Sequence, residues 1–392
     1  MSFSEWREYS IDDIAISYDK KRIPLSSRQR ELKKGVYPYY GASGIIDYID
    51  DFLFDGEFVL ISEDGENLKT RQTPIAFKVN GQFWVNNHAH IYKGIEPFLN
   101  DWIVYYFKKL DVFPYITGAV QPKLNQENLK LIKIKIPDFS EAKKIVSILS
   151  TLDEKIELNR QTNTTLEAIA QAIFKEWFVD FNFPGATGEM VESELGLIPK
   201  GWRVGRLGEL IEISNETVKP MNSPELLFSH YSIPSYDDGL NPIIEAGSAI
   251  LSNKYLVKEK SILVSKLNPR IPRIWAINQV ENENSICSTE FQVFLPIKHF
   301  YYSFSYFYLI QQSTIDTMVS KATGTSSSHQ RINPNDILGL DVIIPNDELI
   351  IDFENNIREY FKYLEHNLNE NLLLAKTRDS LLPKLMIGEI EL

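Results

Sequence analysis

Residues 145–177 read IVSILSTLDEKIELNRQTNTTLEAIAQAIFKEW, and residues 353–385 read FENNIREYFKYLEHNLNENLLLAKTRDSLLPKL. The first stretch carries a seam of Ile145, Leu149, Leu152, Ile156, Asn159, Asn163, Leu166, Ala170, Ile173 and Trp177. The second carries Phe353, Ile357, Tyr360, Leu364, Asn367, Asn371, Leu374, Arg378, Leu381 and Leu385. Each step alternates four and three residues, the 3.5-residue period of a helix that turns one face to another helix. One such stripe also fits an ordinary amphipathic core helix. Two stripes in register, each with an asparagine pair at its middle, point to mutual pairing. Equivalent helices of one chain pair most simply about a pseudo-twofold axis, hence antiparallel. An axis between the asparagines brings Asn159 opposite Asn371 and Asn163 opposite Asn367. Buried amides satisfy one another only in that register, so they fix alignment at some cost in stability. Helices of about 40 residues at ~1.5 Å per residue make a rod of roughly 60 Å, able to hold apart whatever precedes each helix.

What precedes them is also duplicated. Trp6-Arg7 before Ile11-Asp12-Asp13-Ile14 answers Trp202-Arg203 before Leu207-Gly208-Glu209-Leu210. Leu60-Ile61-Ser62 answers Leu263-Val264-Ser265, and Asn87 to Tyr92 stands opposite Ser288 to Val293. Aromatic runs follow, Trp102 to Phe107 and Tyr301 to Tyr308, then Thr117-Gly118 to Asn125 and Thr323-Gly324 to Asn333. Both copies end on short apolar stretches closed by Pro137 and Pro345, after which the period changes from two to helical. A repeat this long is a two-copy domain array and not a solenoid. The expected fold is α+β: two similar mixed α/β domains separated by a long antiparallel two-helix coiled coil with internal pseudo-twofold symmetry. The boundaries read 1–138 for the first domain and 139–182 for the first spacer helix. A linker takes 183–198, the second domain 199–345, and the second spacer helix with its tail 346–392.

A chain of 392 residues with 43% hydrophobic and 12% aromatic content has ample material for more than one packed core. The single cysteine, Cys287, excludes an internal disulfide framework, fits a reducing compartment, and reads as core. Residues 1–7 have no basic run leading into an apolar one, and no stretch reaches membrane-spanning length, so a cytoplasmic protein is expected. The net charge of −12 argues against a nucleic-acid binder only until it is mapped. Residues 1–138 hold 18 basic against 19 acidic side chains and 199–345 hold 13 against 14, whereas 139–198 and 346–392 each hold 5 against 10. The excess acid lies on the spacer segments, and the domains are near neutral.

Two near-neutral domains on a measuring rod suit double-stranded DNA, where half-sites repeat along the duplex. The strongest candidate for base contact is Ser265-Lys266-Leu267-Asn268-Pro269-Arg270-Ile271-Pro272-Arg273, stiffened by two prolines. Arginine reads guanine edges with two hydrogen bonds, and lysine and asparagine reach phosphate or adenine. Its counterpart, Glu63 to Gln72, holds Lys69 and Arg71 among acids. Later in each copy, Gln121, Lys123 and Asn125 stand opposite Ser328, Gln330 and Arg331 in glycine-bearing polar loops. The cluster Lys20-Lys21-Arg22, with Arg28, Arg30, Lys33 and Lys34, reads as a phosphate-facing or solvated surface. Trp177, Phe178, Phe181 and Phe183 exceed what a two-helix seam needs; they are either domain packing or a docking surface for a partner.

Taken together the layout resembles the specificity subunit of type I restriction-modification systems over essentially the whole chain. The strings carrying the resemblance are Phe174-Lys175-Glu176-Trp177-Phe178-Val179-Asp180-Phe181, Leu381-Leu382-Pro383-Lys384-Leu385-Met386-Ile387-Gly388-Glu389-Ile390, Ile198-Pro199-Lys200-Gly201-Trp202 and Lys266 to Arg273. The resemblance implies two target-recognition domains that each read half of a bipartite DNA site, with the paired helices as spacer. It further implies two modification subunits that bring S-adenosylmethionine and methylate adenine, and restriction subunits that add ATP- and Mg-dependent translocation and cleavage. The chain itself then carries no cofactor and no catalytic residue, and works at the nucleoid of a bacterial or archaeal cell.

The residues agree with a non-catalytic role. The sequence lacks an Asn-Pro-Pro-aromatic motif, a Gly-x-Gly-x-x-Gly turn and a phosphate-binding Gly-x-x-x-x-Gly-Lys-Ser/Thr loop. His88 and His90 are expected to share a strand face, but with no further ligand nearby a metal is not expected. A second reading is a coiled-coil scaffold for proteins or glycans, which salt-dependent binding to duplex DNA would separate from the first.

Overall fold

The computed structural model describes residues 6–118, 121–280, 282–324, 330–390 and 392. The chain divides into two compact units, Met1–Glu157 with Leu372–Leu392, and Leu158–Asn371. The division therefore falls inside the two long helices, Phe139–Phe178 and Asp347–Met386, and not at the lobe–helix junctions drawn from the sequence. The physical reason is packing. Each lobe buries helix side chains in its own core, so half of each long helix belongs to each unit.

In the first unit a four-stranded antiparallel sheet runs in the order Ala15–Ser17, Ala89–Gly94, Phe58–Ser62, Ala76–Val79. Phe58–Ser62 is buried along its whole length, as an unbroken apolar run requires. The helix Phe98–Lys109 covers one face with Leu99, Trp102, Ile103 and Phe107, joined in that core by Ile145 and Leu149 of the first long helix and Leu382 and Leu385 of the second. A second sheet, Gly44–Ile49, Lys34–Gly41, Gln82–Val85 and Phe54–Asp55, pairs Tyr39 in parallel with Trp84. A ribbon of Arg7–Tyr9 against Ile134–Ile136 ties the start of the lobe to the residues that enter the helix.

The second unit repeats this. Its first sheet runs Ile211–Ser214, Phe291–Pro296, Ser261–Ser265, Ile274–Ile277. Its second sheet again holds one parallel pair, Leu227–Tyr231 beside Ser285–Cys287, and Arg203–Arg206 against Asp341–Ile344 forms the ribbon. Helix Tyr301–Leu309 takes the covering position, and Phe304 and Phe307 meet Phe174, Phe178 and Phe353 in one core. Cys287 is buried in its strand within a separate core with Tyr231, Trp275 and Phe291, and burial pushes its thiol up to about 12.

Within the second unit the long helices pair antiparallel: Asn159 Nδ2 donates to Asn371 Oδ1 at 2.9 Å, and Asn367 Nδ2 to Asn163 Oδ1 at 2.7 Å. These are the two pairs that the seam alignment sets opposite each other. Asn159 also donates to Glu370 Oε2 at 2.7 Å. Within the first unit Arg378, a polar interruption of the seam, donates to Asp153, which accepts from Tyr105 Oη at 2.8 Å as well.

Two sequence expectations need correction, and a third point gains detail. The first helix ends at Phe178 and not at 182, because Phe181 adopts φ 62° and turns the chain back. The stretch 183–198 is not a plain linker; it contributes a hairpin, Met190–Ser193 against Gly196–Pro199, turned through Gly196 at φ 97°. Finally, Phe178 is buried in the second core, and Phe181 and Phe183 lie against Trp202 with ring centroids 5.5 and 5.0 Å away. Trp177 packs on Phe353 at 5.9 Å. All four aromatics thus take part in domain packing, one of the two roles the sequence leaves open.

Candidate nucleic-acid interface

The strands ending at Ser62 and Ser265 each deliver a loop at the same edge of their sheet, and three backbone hydrogen bonds fix it identically in both lobes. In the first lobe Glu63 N–H donates to His88 O (2.9 Å), Gly65 N–H to Pro122 O (3.1 Å), and Leu124 N–H to Glu63 O (2.7 Å). In the second, Lys266 N–H donates to Glu290 O (2.8 Å), Asn268 N–H to Gln330 O (2.7 Å), and Ile332 N–H to Lys266 O (3.0 Å). The two loops singled out in each half of the sequence are therefore one platform. The second loop also closes on itself, Thr117 with Lys123 and Thr323 with Arg331. Gly65 at φ 109° and Asn268 at φ 47° occupy the same left-handed position, which glycine and asparagine tolerate.

This equivalence corrects the repeat alignment. Ser62 pairs with Ala89 and Ser265 with Phe291, so Ala89 matches Phe291, one residue from where the sequence reading put it. Because strand faces alternate, a slip of one exchanges inward for outward positions. In the corrected frame His88 matches Glu290, while Glu63 still matches Lys266 and Lys123 still matches Arg331, as the sequence alignment has them.

The charges on the platform are thus rearranged between lobes. Lys123 lies 3.1 Å from Glu63, whose carboxyl is held low: burial opposes ionisation, but Arg22, His90 and Lys123 together outweigh it. Arg331 instead lies 2.8 Å from Glu290. Lys266, half-buried, sits 5.3 Å over the Tyr255 ring, and burial holds its ammonium below the usual lysine range.

Among the remaining sequence candidates the structure separates free groups from committed ones. Arg270 is exposed behind the buried Pro269, and Lys69 and Gln121 are exposed. Lys69 also lines, with Phe113, Ile116, Thr117 and Gly118, a cavity of ≈ 450 Å³ between the two loops of the first lobe. Arg273 is not free: its guanidinium clamps Asp237 with bonds of 2.7 and 2.8 Å. Nor is Arg71, which donates to the carbonyls of Leu110, Phe107 and Lys108 and so caps the end of helix Phe98–Lys109. Asn125 caps the helix Gln126–Leu131 by accepting from Asn128 N–H at 2.8 Å. Gln330 is half-buried and gives its carbonyl to Asn268, and Ser328 lies outside the described residues.

Two expectations about the first lobe fail outright. Arg22 is no surface cation: its side chain is 14% exposed and bonds Glu63 at 2.8 Å and the Ala89 carbonyl at 2.6 Å. His88 and His90 do not share a face. His88 is exposed beside Asp64 at 2.8 Å, whereas His90 is buried between Asp19 and Leu124. Glu63, Asp237 and Glu290 were missed because Arg22, Arg273 and Arg331, which bond them, lie 36 to 41 residues away in sequence, and Asp19 because His90 lies 71 away, beyond any local pattern.

With this geometry in place, the chain can be compared with known proteins. The sequence pattern of the type I restriction modification DNA specificity domain matches residues 3–168 and again 199–374. The specificity subunit of the type I restriction enzyme MjaIX of Methanocaldococcus jannaschii is 25% identical over 99% of this chain and 96% of its own length. The HindI specificity subunit of Haemophilus influenzae is 24% identical over 69% of this chain and 71% of its own. Among solved structures, the S subunit of a type I restriction-modification system from M. genitalium superposes with a TM-score of 0.60 at 14% identity, covering 98% and 97% of the two chains.

Proposed function

Because the chain belongs to the type I restriction-modification specificity subunit family, we propose that it reads a bipartite site in double-stranded DNA, one half through each lobe. The observation that carries this reading is the duplicated two-loop platform, built by the same three backbone bonds but furnished with different charges. Identical scaffolds place the loops alike; different side chains give each its own base preference. The paired helices, registered by Asn159–Asn371 and Asn163–Asn367, set the gap between the halves.

Two modification subunits dock on this scaffold and bring S-adenosylmethionine and the methylating site, and restriction subunits bring ATP- and Mg-dependent cleavage. The chain contributes recognition and no bond chemistry, in the cytoplasm at the nucleoid. Among the described residues no helix is long and apolar enough to cross a membrane. With a net charge of −12, the chain alone should bind duplex DNA weakly, and tight binding should need basic surface from its partners. Sequencing methylated adenines in a host that expresses the complete complex tests the reading. The expected motif has two short specified segments separated by an unspecified gap of constant length. A single contiguous motif, or methylation indifferent to this chain, would overturn it.

A further inference from the structure

The first lobe holds a buried polar residue that its fold does not require. His90 is 1% exposed in the central sheet, paired to Ile61. Its Nδ1 lies 2.6 Å from Asp19 Oδ2, and its Nε2 donates to the Leu124 carbonyl at 2.8 Å. Asp19 is itself fixed by the Ile91 N–H at 2.8 Å and by Arg22 at 3.3 Å. Leu124 is the residue whose N–H binds Glu63 O and so locks the second loop onto the first. One rigid ring thus connects the turn at Asp19, the sheet and the loop that presents Gln121 and Lys123.

The second lobe supplies the control. Its equivalent position is Gln292, also buried, and Gln292 donates to the carbonyls of Ser214 at 3.1 Å and Val293 at 3.4 Å and not to Ile332, the counterpart of Leu124. The same sheet and the same loop closure are therefore built without a tie from beneath. The bond to Leu124 is an addition in the first lobe, and it acts on a loop under geometric demand. Gly118 sits at φ 86°, where a Cβ would meet the Gln121 carbonyl at 2.2 Å, so the turn into Gln121 is tight enough to need glycine.

We propose that His90 is a positioning residue for DNA recognition by the first lobe, holding residues 121–125 at the height from which Gln121 and Lys123 read their half-site. The proposal rests on the recognition reading above. Side chains that must meet a ligand within about half an ångström depend on such supporting contacts.

Asparagine at position 90 places its amide nitrogen near the site of Nδ1, so H90N keeps only the contact with Asp19 and loses the donor to Leu124. Q292N is the control, because Gln292 is equally buried but does not bond its loop. The complex purified through the full chain would select from a randomised duplex library, with R270A marking the half read by the second lobe. H90N should lose roughly tenfold in base discrimination at the other half, while Q292N keeps the discrimination of the second half within about twofold of wild type. Amide hydrogen exchange gives a readout without DNA: residues 121–125 should exchange faster in H90N and residues 330–332 should not change. Wild-type selectivity in H90N, equal relaxation of the second half in Q292N, or faster exchange in both lobes of H90N would overturn the proposal. A wild-type complex that selects no bipartite site would instead remove the recognition reading, and this proposal with it.

Discussion

Arg270 and Arg273 stand three residues apart on one loop and are committed to different tasks. Arg273 is 14% exposed and grips Asp237 with two bonds; that contact keeps the Asp237 carboxyl below the usual carboxylate range. Arg270 is exposed, with no ion pair among the described residues. R270A should therefore cost about 1–3 kcal/mol of discrimination at one base pair and leave the melting temperature unchanged. R273A should release Asp237 and loosen the loop, lowering melting temperature and weakening binding to all sequences alike. Anisotropy titrations of the assembled complex against single-base variants of its site would separate the two, and equal losses at the same base would refute the division. Acid stability offers a second residue-scale test. Asp47 is held at about 2, chiefly by the Lys34 ammonium and then by the Tyr48 N–H. A depressed carboxylate stabilises the fold fully above its unfolded pKa, ~3.9, and that contribution is lost as pH falls through about 2. D47N should thus flatten the acid limb of stability between roughly pH 4 and 2, as thermal melts across that range would reveal.

The paired helices invite a double-mutant cycle at Asn163 and Asn367, both buried and bonded to each other at 2.7 Å. N163L alone strands the Asn367 amide in an apolar seam and should cost about 1–3 kcal/mol in denaturant melts. Adding N367L removes the unpaired group, so the double variant should recover to near wild type or above, at the expense of register. A double variant as unstable as the sum of the singles would contradict a seam held by this pair. At this scale much was legible in advance. A 3.5-residue period is written within one helix, and symmetry then sets Asn159 against Asn371 with no knowledge of the lobes. The lobes resisted for the opposite reason. Arg22 finds Glu63 across 41 residues and Arg273 finds Asp237 across 36, so both looked like free cations. The hairpin at Met190–Pro199 was equally hidden: VESELGLI carries no clean alternation of apolar and polar residues. Only the platform loops were visible, as polar stretches stiffened by proline or bearing glycine, and their joining needed the backbone bonds.

For the whole molecule, the reading turns on whether the helices set a length. The compact units divide at Glu157/Leu158 on one helix and at Asn371/Leu372 on the other. Asn159 bonds Asn371 and Asn163 bonds Asn367, so residue numbers on facing positions sum to a constant and these two points lie opposite each other. One heptad inserted at both keeps every seam position facing its partner and adds about 10 Å of helix. That length corresponds to roughly three base-pair steps of 3.4 Å. The methylated motif should keep both halves and gain about three unspecified base pairs between them. Affinity should fall meanwhile, because three steps turn the duplex by about 100° whereas a heptad adds little rotation to the seam. A heptad in one helix alone is the control: it leaves seven residues unpaired, so stability should drop and no new constant gap should emerge. If the doubly inserted chain instead kept its original gap, or altered the sequence of a half-site, the helices could not be the ruler.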